Sequence, residues 1–413
     1  MGVNISRMSS KHLFIITMEY PFGKAEAFLE DEIEELCHYY DKVFIIPYWK
    51  QTDDIRPYNE AKIQVLNEIE IDQKVLNSKL QLFLKHGKLI RALRKTERSS
   101  VTHFKTSLSH LKNVLARTES IEKFIEENKG QENHFFAMWM SAPASVLAIL
   151  KINDIIDRFV SRAHGYDVEE RRHHNNYIPL LRFNLKHTDH VYCNSKYTLD
   201  SLSDKVEKQK LSVSYLGLKK PEYNKSTEVT SSENLTVVSV SNLYPFKRVD
   251  KVFQVLNKVA EKKNVKWTHF GDGEQMPVLK QLIEDKNENL IIDLKGAVSR
   301  NEIFNFYSIN DVDLFIHLSE SEGFGYSMVE AQSFGIPVLV ADTGGTKETF
   351  SVESGVLVSQ DQTAKDIADI INDLVDRNLL DKMKTVSQKN FLEKFEIKQS
   401  VTALQSSITK SHA

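Results

Sequence analysis

Residues 312–348 read VDLFIHLSESEGFGYSMVEAQSFGIPVLVADTGGTKE, and their order decides the fold. DLFIHL is a short apolar run that predicts a buried strand, and SESEGFG is a polar turn carrying Gly323 and Gly325. YSMVEAQSF then predicts a short helix that stops at Gly335, and IPVLVA a second buried strand. Strand, turn, helix and strand in this order build a parallel sheet, with the functional turn at the carboxyl end of the first strand. Gly323 and Gly325 remove side chains where a ligand has to approach the backbone.

The turn has the chemistry of an anion site. Amides around Phe324, Gly325 and Tyr326 would project from a helix N-terminus bearing roughly half a unit of positive charge, which suits a phosphate. Glu322 in the turn and Glu330 in the helix stand with seven residues between them. Beside a phosphate a carboxylate is repelled unless it reaches past it to neutral hydroxyls. The pair therefore reads as hydrogen-bond acceptors for sugar hydroxyls on either side of a diphosphate. The plainer alternative is a helix-start carboxylate and a solvated helix residue.

The pattern E-G-F-G-x-x-x-x-E from Glu322, followed by A-x-x-x-G-x-P-V and GG-x-x-E, resembles a known signature. It is similar to that of the retaining, nucleotide-sugar-dependent glycosyltransferases of the GT-B fold (family four, glycosyl transferases group 1, of the bacterial polysaccharide-biosynthesis type). The resemblance implies an α/β protein of two Rossmann-like domains facing across a cleft, with a C-terminal helix crossing back to the first. It implies a nucleoside diphosphate sugar, carried on UDP or GDP, as co-substrate in the second domain, no separate cofactor, and an acceptor held by the first.

With 413 residues the chain exceeds one ordinary core, so two domains of about 200 residues are expected. Apolar content of 41%, charged content of 27% and a net charge of -3 suit a soluble globular protein and argue against a dedicated nucleic-acid binder. Cys37 and Cys193 stand far apart, which suggests a reducing compartment without a disulfide framework. The N-terminal stretch holds no apolar run long enough for a signal peptide or a membrane span, and Gly2 with Ser6 meets a short myristoylation pattern that chance often supplies. A cytoplasmic location is expected, with the cytoplasmic face of the membrane as its variant.

The expected organisation is an acceptor-binding domain over 1–218, a linker over 219–234, a nucleotide-sugar domain over 235–382 and a helical tail over 383–413 returning to the first domain. KHLFIIT opens the first domain as a strand and leads through a turn into an acidic helix; in the resembled family this turn helps to place donor and acceptor, which makes Gly23, Lys24 and Glu26 candidates. Residues 76–129 form a basic helical insertion, with Lys79, Lys85, Lys88, Arg91, Arg94, Lys95 and Arg98 around an apolar side of Leu80, Phe83, Leu84, Ile90 and Leu93. Two readings stay open for it. Either it meets anionic lipid, each basic residue contributing on the order of 1 kcal/mol, or its apolar side packs on the domain and its charges are merely solvated. FVSRAH predicts a strand ending in His164, where related family sequences place a histidine beside the donor sugar.

LTVVSVSNLYPFKRVDK repeats the strand, turn and helix theme in the second half, with Lys247 and Arg248 in the turn. The resembled family holds an arginine and, a few residues later, a lysine here, and both grip the diphosphate. Asn242 takes the arginine's place, Lys247 the lysine's, and Arg248 follows. A charge-assisted contact to phosphate is worth about 1.5 to 3 kcal/mol, and the leaving diphosphate gains negative charge as the sugar bond breaks. Gly271 sits in the turn after VKWTHF, and Gly296 and Val298 in a turn that the resemblance places against the nucleotide base.

Catalytic roles are expected of His164, Glu322, Lys247 and Arg248, and donor-binding roles of Glu330, Gly323, Phe324, Gly325, Tyr326, Asn242, Gly271, Gly296, Val298 and Gly23. No D-x-D motif stands where a metal-dependent transferase carries one, so hexosyl transfer with retention and without metal is expected. A glycan or lipid-linked oligosaccharide acceptor in cell-surface polysaccharide assembly completes the expectation. Asn242 also suits a different class, a non-catalytic partner subunit that binds acceptor or stabilises an active transferase. A sugar-nucleotide epimerase of the same fold fits poorly, for want of acid and base carboxylates on the first domain.

Overall fold

The computed structural model describes residues 10–23, 26–73, 75, 86–97, 100–222 and 234–409. The chain divides into two units, Met1–Tyr215 with Ser400–Ala413, and Leu216–Gln399.

The first unit is built on seven parallel strands: β1 Lys11–Thr17, β2 Lys42–Pro47, β3 Ile63–Val65, β4 Glu132–Ala137, β5 Val160–Ala163, β6 His190–Cys193 and β7 Leu211–Val213. Their order in the sheet is β3-β2-β1-β4-β5-β6-β7. Leu13–Ile16 and Val43–Ile46 are buried along their whole length, as strands covered on both faces must be, and this is why they read as unbroken apolar runs. β3 escapes such a reading because only three residues pair and they alternate in burial.

Helices α1 Leu29–Leu36, α2 Gly87–Thr96, α3 Val101–Asn128, α4 Ala142–Ile152, α5 Leu181–His187 and α6 Lys196–Leu202 complete the described part of this unit. In the basic insertion, Leu89, Ile90 and Leu93 of α2 are buried in the unit's own core while Lys88, Arg91, Arg94 and Lys95 are exposed. The apolar side of α2 is thus taken up by packing. Lys79, Leu80, Phe83, Leu84, Lys85 and Arg98 lie outside the described residues, as do Gly2, Ser6 and Lys24. No helix among the described residues is long and apolar enough to cross a membrane.

The second unit has six parallel strands: β8 Leu235–Val240, β9 Val265–Phe270, β10 Leu290–Gly296, β11 Leu314–His317, β12 Val338–Ala341 and β13 Gly355–Val358. Their order is β10-β9-β8-β11-β12-β13. Chain order reverses between β8 and β11, and such a reversal opens a crevice at the carboxyl ends of the two strands. Helices α7 Val249–Val259, α8 Met276–Leu282, α9 Arg300–Ile309, α10 Tyr326–Ser333, α11 Ala364–Asp376 and α12 Leu380–Lys394 follow, and α13 Ile397–Thr409 contains the division between the units.

Two expected boundaries differ from those observed. Leu216–Leu218 goes with the second unit rather than the first, because Leu218 N donates to Phe395 O at 2.8 Å and Ile397 N to Leu218 O at 3.1 Å. Residues 223–233 of the expected linker lie outside the described residues. The expected tail splits: α12 stays on the second unit, where Phe391 is fully buried, Asn390 Nδ2 donates to Gln332 Oε1 at 2.8 Å, and Lys384 pairs with Asp311 and Asp313 at 3.2 and 3.0 Å. Residues 400–413 go with the first unit.

The first unit encloses one ion pair completely. Arg162 of β5 donates from Nη1 to both carboxylate oxygens of Glu32 on α1, at 2.8 and 2.7 Å, with side-chain exposures of 0 and 1%. Removing one partner of such a pair leaves an uncompensated charge in the core. Glu32→Gln should cost about 3 to 5 kcal/mol, read as loss of hydrogen-exchange protection in the β4 and β5 amides; protection within 1 kcal/mol of the parent would show that the pair carries no such weight.

Candidate functional site

The crevice of the second unit is framed by turns that are bonded into one piece. Glu320 N donates to Phe246 O at 2.7 Å and Ser319 Oγ to the same carbonyl at 3.0 Å, which ties the turn after β11 to the turn after β8. Thr343 Oγ1 donates to Glu320 O at 2.7 Å and Gly345 N to Glu322 O at 3.2 Å, which adds the turn after β12.

Lys247 and Arg248 leave the β8 turn at a sharp corner. Lys247 closes a single 3-10 turn, Pro245–Lys247, and Arg248 takes a left-handed conformation with φ 51° directly before α7. A left-handed arginine is uncommon and marks a backbone constrained by its surroundings. The corner brings Lys247 Nζ to 2.5 Å from Glu322 Oε2, and Arg248 Nη1 to 3.5 Å from Glu320 Oε1.

His317, the last residue of β11, stands 3.2 Å from Glu322 Oε2 through Nε2. Burial alone would push Glu322 up, but Lys247 and the His317 hydrogen bond hold its carboxyl well below the ordinary carboxylate range. His317 is itself pushed down by burial against the pull of Glu322. Near neutral pH the glutamate is therefore an anion that only accepts hydrogen bonds, and the neutral imidazole carries its proton on Nε2. This arrangement suits holding a hydroxyl, not delivering a proton.

Gly325, with φ 89°, precedes α10, and no side chain caps that helix. Gly323, Phe324 and Gly325 are buried; the Phe324 ring packs edge-on against Phe395, with centroids 5.7 Å apart, so the residue contributes its side chain to the core. The Tyr326 hydroxyl donates to Gly217 O at 2.9 Å. Glu330, one turn into α10, lies 3.1 Å from Arg300 Nε, both side chains being 11% exposed.

Gly271 and Gly296 meet at the ends of β9 and β10, where Gly271 N donates to Gly296 O at 2.8 Å. Gly271 has φ 143°, and a Cβ on it would lie 1.8 Å from Ser241 O; only glycine allows the β9 turn to lie this close to the β8 turn. Val298 packs against the core beside α9, and Asn242 is exposed. Behind the turns, His269 Nδ1 and Trp267 Nε1 both meet Ser239 Oγ, at 2.8 and 2.9 Å, and burial pushes the His269 imidazole down to about 4.

Sequence reasoning missed His317, Arg300 and His269. His317 and His269 each lie at or beside the carboxyl end of a predicted strand, the position that delivers residues to a crevice, and this was the available signal. Arg300 follows Ser299 in a capping box with Glu302, so the helix start was legible but the partner across the crevice was not.

In the first unit His164 directly follows β5, 5% exposed, with Nε2 3.0 Å from Met138 O and Nδ1 3.4 Å from Asn194 Nδ2. Burial, with Arg162 nearby, pushes it down to about 3, so the ring is neutral. Gly23 sits in the β1 turn with φ 64°. Glu26 is engaged internally: its carboxylate accepts from the amides of Met18, Glu19 and Tyr20 at 3.1, 2.7 and 2.7 Å and from Trp139 Nε1 at 2.5 Å. It shapes the turn.

Residues 221–390 match the family described as glycosyl transferases group 1. The chain is similar to the phosphatidylinositol N-acetylglucosaminyltransferase gpi3 subunit of Schizosaccharomyces pombe, 25% identical over 205 residues, or 48% of this chain and 44% of that protein. It is similar also to the poly(ribitol-phosphate) alpha-N-acetylglucosaminyltransferase of Staphylococcus aureus, 29% identical over 160 residues, or 38% of this chain and 31% of that one. The matched stretch thus spans less than half the length of these two relatives. Among solved structures, Anabaena HepE in complex with UDP and glucose has a TM-score of 0.66 at 16% identity, covering 98% of this chain and 100% of that one. Staphylococcus aureus TarM has a TM-score of 0.69 at 14% identity, covering 99% and 100%. The fold is GT-B, and the match to the glycosyl transferases group 1 model lies in its second unit.

Because a Cβ at Gly271 strikes backbone rather than a yielding side chain, Gly271→Ala should cost on the order of 3 kcal/mol. Thermal or denaturant unfolding of the second unit would show it, and a loss under 0.5 kcal/mol would mean that the close approach of the two turns is not required.

Proposed function

We propose that the chain is a retaining glycosyltransferase that moves a hexosyl group from a nucleoside diphosphate sugar, UDP-linked in the first instance and GDP-linked as the alternative, to a glycan or lipid-linked oligosaccharide in cell-surface polysaccharide assembly. The observation that carries this reading is the Lys247–Glu322 pair at the crevice, beside a helix start with no side-chain cap, inside the group 1 segment. UDP in the HepE crystal and the glycosyl transfer named in the curated relatives support the donor class.

Lys247 and Arg248 would draw the diphosphate to the β8 turn, and the N-terminus of α10 would add its dipole to the same charge. As the sugar bond breaks, these groups meet the negative charge that develops on the leaving phosphate. Glu322, kept ionised, would accept from the sugar's hydroxyls, and Glu330, braced by Arg300, from the ribose. The turns at Gly271, Gly296 and Val298 offer backbone to the base, and Asn242 a neutral side chain beside Lys247. A front-face route with the leaving phosphate as base requires no protein nucleophile.

The first unit would hold the acceptor, with neutral His164 and the Gly23 turn as proposed contacts. The exposed basic residues of α2 would add weak electrostatic contact with anionic lipid at the cytoplasmic face of a membrane. Lys247 and Arg248 supply positive charge at the diphosphate themselves, so turnover without a divalent metal is part of the proposal.

A thermal-shift screen of the full chain against nucleoside diphosphate sugars tests the donor class, since a ligand at a hundred times its Kd stabilises by about 2.7 kcal/mol. Lys247→Ala should weaken binding of the nucleoside diphosphate at least tenfold by calorimetry, and Glu322→Ala should lower turnover more than tenfold; unchanged values would contradict the assigned roles. Activity that vanishes in EDTA and returns with manganese would remove the metal-free mechanism. Failure to transfer from any donor, with nucleotide still bound, would favour the partner-subunit reading that Asn242 suggests.

A further inference from the structure

A cavity of about 580 Å³ opens within the first unit at the carboxyl ends of β2 and β3, and α3 of the basic insertion contributes Arg117 to its lining. The volume lies within the range of small-molecule sites, about 300 to 1,000 Å³. β3 and β2 lie to one side of the β1/β4 reversal, so this cavity is separate from the position that His164 and Gly23 occupy at the ends of β5 and β1.

Arg117 is only 8% exposed. Its guanidinium carbon lies 4.5 Å from the Trp49 ring centroid and 5.1 Å from that of Tyr48, and Nη1 donates to Asn113 O at 2.9 Å. Among the described residues it has no carboxylate partner. Arg162 in the same unit differs, since its buried guanidinium meets both carboxylate oxygens of Glu32 through Nη1. Two aromatic faces offset part of the cost of burying Arg117, and they hold the planar fork in place. Its charge is left for an anion that comes from outside.

The rest of the lining offers groups for a sugar ring, with the carboxylates of Asp53 and Glu68 as acceptors for its hydroxyls and Arg117 as the place for its anion. Trp49 is 39% exposed, a flat apolar surface at the cavity of the kind on which the C–H face of a pyranose packs. Lys50 also lines the cavity, and its partner there is Asp53, 2.9 Å away and 96% exposed; so exposed a pair is worth little and exchanges readily. Asn67 supplies an amide for hydroxyls.

We propose that this cavity binds an anionic sugar, with its phosphate or carboxylate on Arg117 and its ring against Trp49. On the transferase reading above, which this rests on for its role though not for its chemistry, the cavity is a subsite for the acceptor.

Calorimetric titration of the full chain with glucose 6-phosphate, glucuronate, glucose and inorganic phosphate tests it. At least one charged sugar should bind ten times or more tighter than both glucose and inorganic phosphate, and the stronger of the two identifies the anion. Arg117→Gln should weaken that sugar at least tenfold. Trp49→Ala, which removes the ring surface together with one of the two aromatic faces that hold Arg117, should weaken the charged sugar at least fivefold and inorganic phosphate by a smaller factor. Glucose binding as well as the charged sugars, or either variant binding the charged sugar within twofold of the parent, would overturn the proposal. UDP titrated into the same samples reads the second unit by itself, so failure of the donor reading and failure of this site give different results.

Discussion

The contact between Lys247 and Glu322 is the constraint on which the crevice of the second unit depends. It joins two turns that leave neighbouring strands at the reversal of the sheet, and the shared Phe246 carbonyl fixes them a second time. Lys247 keeps the charge of Glu322. Without Lys247, burial would work unopposed on the Glu322 carboxyl, and without Glu322 a half-buried ammonium would stand alone at the corner made by left-handed Arg248. His317 adds a neutral donor from beneath, so the carboxylate is oriented before any ligand arrives. Preorganisation of this kind is what electrostatic catalysis requires, because groups already aimed need no rearrangement when charge develops.

The sheet explains why these residues can be placed so closely. β8, β9 and β11 are buried along both faces, and their ends carry Ser239, His269 and His317 into one layer behind the turns. Glycine at position 271 lets the next turn approach the Ser241 carbonyl, and the Arg300–Glu330 pair braces the far side. Cations and anions alternate around the crevice, and each position follows from a strand end or a helix start.

Much of this was legible in the sequence because parallel strands buried on both faces announce themselves as apolar runs. β8, β9, β11 and β12 of the second unit were readable in this way, as was the glycine-spaced turn with its two glutamates. β3 was not, since three alternating residues carry no such signal. Pairings over long separations were also hidden: nothing local in Lys247 points to Glu322, or in Arg300 to Glu330. Glu26 shows the reverse error. An acidic residue in a ligand-side turn looks functional in sequence, but the fold uses it to gather three amides and an indole N–H. The helical tail was placed too simply because Asn390 and Lys384, which hold α12 to the second unit, look like ordinary surface residues of an amphipathic helix.

A crystal structure of the full chain grown with UDP tests the central claim most directly. The account predicts the diphosphate within hydrogen-bonding distance of Lys247 Nζ and the first-turn amides of α10, with the Lys247–Glu322 contact lengthened as the lysine turns to phosphate. A diphosphate bound elsewhere on the second unit, with that contact unchanged, would contradict it.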